Sequence, residues 1–130
     1  MIAEVDKSLY PIIIIKTLPV EISDTQLEDY LKMQEELLQE ATQKIIFIYD
    51  TNNSRYLSGD QTVRISKWSK IKEQLFKEKC LGTCIVTSSV LSNLIVRIIK
   101  SLLKSRFEAK VFSNMDNAIK WASEQLKAAK

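Results

Sequence analysis

The sequence contains no histidine, and glycine occurs only at Gly59 and Gly82. Without histidine there is no Ser-His-Asp triad, no Cys-His pair and no histidine-ligated metal site. Two isolated glycines cannot form the loops that cradle phosphate in Walker or dinucleotide-binding sites. No apolar run approaches the roughly 20 residues of a membrane span. The opening Met1-Ile-Ala-Glu-Val-Asp-Lys lacks the basic-then-apolar plan of a signal peptide, so the expected location is the cytoplasm and the chain is not expected to be transmembrane.

Cysteine is scarce too. Cys80 and Cys84 are the only two. On one strand they would point the same way, about 13 Å apart at about 3.3 Å per residue. A disulfide needs Cα atoms within about 7 Å, so both are expected to be free, buried thiols. The net charge of +3 is weak, and aromatic residues are not interleaved with the basic ones, so no nucleic-acid partner is expected. These absences together predict a non-catalytic chain with no metal and no cofactor.

What is present is an ordinary globular composition, 45% hydrophobic and 27% charged over 130 residues, enough for one domain over 1–130. Residues 2–5 and 11–18 read as an antiparallel hairpin joined around Asp6-Lys7-Ser8. Ile12-Ile13-Ile14-Ile15 is unbroken and β-branched, as in a strand covered on both faces. Ser23-Asp24-Thr25-Gln26 fits a capping box. The helix after it carries Leu27, Tyr30, Leu31, Leu37, Leu38 and Ala41 on one side.

Further strands are predicted over 44–50, 82–87 and 109–112. Further helices are predicted over about 59–77, 89–104 and from 115 onward. The helix over 59–77 places Ile65, Trp68, Ile71 and Leu75 at helical spacing, and the last helix carries Ala118, Ile119, Trp121, Ala122 and Leu126. Strands alternating with helices imply an α/β fold: a mixed, mostly parallel sheet of about five strands, an N-terminal antiparallel hairpin and about four helices.

This order of elements, closing on Val111-Phe-Ser-Asn-Met-Asp-Asn-Ala-Ile-Lys-Trp121, resembles the SpoIIAA-like branch of the STAS (anti-anti-sigma factor-like) superfamily. That branch often ends in a Val-Phe, acidic, Ala, Trp-Leu pattern, and the resemblance spans nearly the whole chain. It implies a regulatory or protein-binding module, and for this branch a lipid-like ligand has been suggested. Anti-anti-sigma factors carry Asp-Ser-Ser-Gly at the start of the second helix, with a phosphorylated serine. Here Tyr56-Leu57-Ser58-Gly59 keeps only the last serine and the glycine, which makes Ser58 the candidate phosphosite. A phosphate at a helix N-terminus would be favoured by free amides and the helix dipole.

Two constellations stand out. Asp50 and Asn52 follow one strand, and Thr87 and Ser88 follow another, so they are candidates for a polar crevice at the carboxyl edge of the sheet. Asp50 does not make a receiver phosphoacceptor, because Pro19-Val20 and Ser113-Asn114 stand where the acidic pair and the lysine belong. A haloacid-dehalogenase site wants aspartate where Asn52 stands. The second constellation is the helix over 89–104. At about 100° per residue, Leu91, Leu94, Ile95, Ile98, Ile99 and Leu102 lie on one arc, which Val96 widens well past the roughly 100° a core-facing helix needs. That surplus fits either a helix buried deeply between the sheet and its neighbours or an interface: a protein partner, a second copy as a homodimer, or a small apolar or lipid-like ligand held in a cavity with Trp68.

Overall fold

The structure is a computed structural model describing residues 3–17, 22–51, 59–87 and 109–129. Ser58, Asn52, Ser88 and the apolar arc of Leu91, Leu94, Ile95, Ile98, Ile99 and Leu102 lie outside the described residues.

Five strands form one sheet in the order β1-β2-β3-β4-β5: β1 Ala3–Leu9, β2 Ile12–Thr17, β3 Ile45–Asp50, β4 Cys80–Val86 and β5 Ala109–Phe112. β1 runs antiparallel to β2, and every other pair is parallel. The expected α/β fold with its N-terminal hairpin is therefore the observed one. The hairpin closes later than Asp6-Lys7-Ser8 suggests. The Asp6 carboxylate accepts the Ser8 amide at 2.8 Å, which makes a register irregularity rather than the reversal. The chain then turns through Tyr10-Pro11, with Tyr10 N–H donating to the Lys7 carbonyl at 3.0 Å.

Successive residues of a strand face opposite ways, so an unbroken apolar run feeds two cores. On one face Ile13, Ile15, Ile45 and Phe47 pack with Leu37, Leu38, Ala41 and Phe76. On the other, Ile12, Ile46, Ile48, Cys84 and Val86 meet Ala118 and Ala122. Among the described residues the helices of the first face are α1 (Asp24–Glu40), α2 (Gly59–Ile71) and α3 (Glu73–Lys79). The second face is covered, among the described residues, by α4 (Met115–Ala128). The fully buried alanines of α4, four residues apart, let its backbone lie close to the sheet.

The start of α1 follows the sequence signal. Ser23 Oγ accepts the Gln26 amide at 3.1 Å while Gln26 Oε1 accepts the Ser23 amide at 3.0 Å, a complete capping box. Asn114 caps α4, its Oδ1 accepting the Asn117 amide at 2.9 Å.

Two expectations need correction. The single helix over 59–77 is two, bent at Lys72 (φ −94°, ψ 8°). The inner line runs through Ile65, Trp68, Ser69, Lys72 and Phe76, with Lys72 Nζ 2.7 Å from Glu35 Oε1. Ile71 is thereby turned outward and is 76% exposed. The cysteines do not point the same way. Cys80 pairs with Ile45 but Gly82 with Ile46, so one extra residue bulges out of β4. The bulge puts Cys80 with the first core and Cys84 with the second. Both are free thiols.

Candidate functional site

The carboxyl edge of the parallel strands is where open α/β sheets hold ligands. Here it is lined by threonines at the strand ends. Thr17 Oγ1 donates to the Asp50 carbonyl at 3.0 Å, and Thr51 Oγ1 donates to the Val86 carbonyl at 3.1 Å. Thr51 N–H also reaches that carbonyl, at 3.0 Å, and Thr87 N–H donates to the Phe112 carbonyl at 3.0 Å. Two of the three hydroxyls are therefore used to extend the strand ladder by one step. The Thr87 hydroxyl is buried, and its Oγ1 has no hydrogen-bond partner among the described residues. An unpaired buried hydroxyl costs free energy, so a water or another polar group is favoured beside it.

Of the crevice residues expected from sequence, the structure brings Asp50 and Thr87 onto neighbouring strand ends. Asp50 lies opposite Lys16 on one side and Val86 on the other. Among the described residues, no three Cys, Asp or Glu converge as a metal site requires. Burial pushes the Cys80 thiol up to about 11 and the Cys84 thiol up to about 12, so both are held protonated at neutral pH. Burial likewise raises the Tyr30 and Tyr49 hydroxyls above their ordinary range, with Tyr49 raised further by the Tyr30 and Cys80 groups near it.

A second feature was not foreseen. An open cleft of about 550 Å³ lies between β1 and α1, lined by Ala3, Val5, Tyr30 and Met33, with Glu4, Gln26 and Asp29 completing it. Trp68 lines no part of it. That ring is packed edge-on against Phe76, 5.6 Å between centroids, inside the first core.

The third feature is the outer side of α2. Val63, Lys67, Lys70 and Ile71 recur at intervals of three and four and are all exposed, Val63 by 48%. Neither lysine has an ion-pair partner among the described residues. By contrast, Arg64 holds Glu28 at 2.9 Å, and Lys72 holds Glu35. The sequence signal for this stripe was present in Val63, which falls off the inward line. The apparent Ile65–Trp68–Ile71–Leu75 spacing concealed Ile71.

No family model matches the chain, and no curated protein matches it. Its structure is similar to the crystal structure of an uncharacterised DUF3478-family protein with a SpoIIAA-like fold from Shewanella loihica PV-4. The TM-score is 0.66 at 16% identity, covering 92% of this chain and 91% of that one. The chain has a SpoIIAA-like fold. Among the described residues no helix is long and apolar enough to cross a membrane.

Proposed function

We propose that the chain is a non-catalytic, cytoplasmic regulatory module that acts through protein–protein contact. The observation that carries this reading is the outer stripe of α2, where Val63 and Ile71 stand in water on either side of Lys67 and Lys70. Two large apolar side chains on one exposed helix side, with two lysines free of ion pairs among the described residues, make a surface that a partner would cover. The chemistry of the described residues supports the non-catalytic part. The thiols are held protonated, and two of the strand-end hydroxyls are bonded to backbone carbonyls.

The test is a photo-reactive amino acid at position 71 in the full chain, expressed in cells. Discrete protein adducts that disappear when K67E and K70E are added would support the reading. No adduct, or adducts indifferent to those lysines, would overturn it.

A second reading, a carrier of a small apolar or lipid-like ligand, is favoured by the apolar lining of the cleft between β1 and α1. Native mass spectrometry of the purified chain tests it. A bound apolar adduct lost on Met33→Lys supports a carrier, and a bare mass in every preparation rejects it.

A further inference from the structure

We infer that the partner of the α2 stripe is a second copy of this chain, which receives it in the cleft between β1 and α1; this rests on the protein-contact reading above. The argument begins with how charge is divided across α1. Glu28 and Glu35, on the side facing α2 and α3, are already paired with Arg64 and Lys72. Asp29, Glu36 and Glu40, on the side towards β1, are exposed and have no ion-pair partner among the described residues. Asp29 lines the cleft, whose floor is Ala3, Val5, Tyr30 and Met33. The cleft is thus apolar with an acidic rim. The α2 stripe is its complement, apolar with two unpaired lysines.

The order of these features selects a closed dimer. α2, α1 and the cleft lie side by side, with α1 in the middle. A two-fold axis through the outer face of α1 places the stripe of each copy over the cleft of the other. The same contact forms twice and leaves no unsatisfied copy of either surface, as an isologous interface requires. Both halves of the recognition are written in one chain.

The test uses light scattering and sedimentation on the full chain, on K67E/K70E, on D29K/E36K, and on an equimolar mixture of the two variants. The wild type is expected to be a dimer that weakens as salt is raised from about 0.05 to 0.5 M. Each variant alone sets like charges against each other twice, and its dimer dissociation constant is expected to rise more than about tenfold. In the mixture both contacts are again between opposite charges, so a one-to-one heterodimer is expected. All four substitutions are at exposed positions, and unchanged circular dichroism and melting confirm folding. A monomeric wild type, salt-insensitive association, or a mixture that fails to pair overturns the proposal. If the wild type is monomeric while lysine-dependent adducts still form at position 71, the second-copy proposal fails and the protein-contact reading survives.

Discussion

The Tyr49 hydroxyl donates to Gln34 Oε1 at 2.6 Å, joining β3 to the buried side of α1. Gln34 is a polar residue in an otherwise apolar helix face, and this bond is what makes its burial tolerable. Gln34→Ala leaves the tyrosine hydroxyl without that partner and is expected to cost about 1–3 kcal/mol in urea denaturation. Tyr49→Phe with Gln34→Leu removes both polar ends. The pair is expected to cost less than the sum of the single changes, and additive costs would show that the bond carries no coupling.

Alkaline pH should unfold the protein early. The Cys80 and Cys84 thiols are raised by burial to about 11 and about 12, from an ordinary value of 9.0. The folded state therefore holds these protons after the unfolded state has released them. Their contribution is intact below pH about 9 and is lost as pH climbs towards the folded values. Tyr30 and Tyr49 act in the same direction above about pH 10. The urea midpoint is expected to fall steadily above pH about 9. A flat midpoint up to pH about 10.5 would contradict the burial of these groups. At pH about 8 iodoacetamide should label neither thiol in the folded chain and both in urea.

Buried and exposed apolar positions should respond in opposite ways to size and polarity. Ala122 is fully buried between α4 and the sheet. Ala122→Leu is expected to destabilise by about 1–3 kcal/mol, because added methylenes have no space to enter. Ile71→Gln is expected to stay within about 0.5 kcal/mol of the parent when both are melted as dilute, dissociated single chains, where the parent side chain is in water. Thermal melts of the two variants distinguish these outcomes.

The start of α1 offers a local measure. Ser23→Ala breaks one half of the capping box and is expected to cost about 1 kcal/mol. Ser23→Asp keeps an acceptor beside the helix dipole and should recover most of that loss in the same denaturation experiment.

Local signals carried the fold well. The Ile12–Ile15 run and the Ser23 box each state their structure within a few residues, and each is found in place. What the sequence hid depends on contacts between distant segments. The bulge that separates Cys80 from Cys84 is defined only by register against Ile45 and Ile46. The bend at Lys72 coincides with its ion pair to Glu35, which periodicity within 59–77 cannot contain. The same holds for the candidate surfaces. Asp50 and Thr87 were legible because strand ends are legible, whereas the cleft needs β1 and α1 to be set beside each other first. Ile71 shares a helical spacing with Ile65, Trp68 and Leu75, yet in the folded chain it faces water.

The division of the core between two faces has a consequence for how the protein is made. Synthesis runs from β1 towards α4, so the strands of the sheet are complete before the helix that covers Ile12, Ile46, Ile48, Cys84 and Val86 has emerged from the ribosome. During that interval the nascent chain presents a greasy, half-finished surface to the cell. Among the described residues α4 is the element that closes this face, so slow translation through 115–128 is expected to lengthen the time for which these side chains stand uncovered.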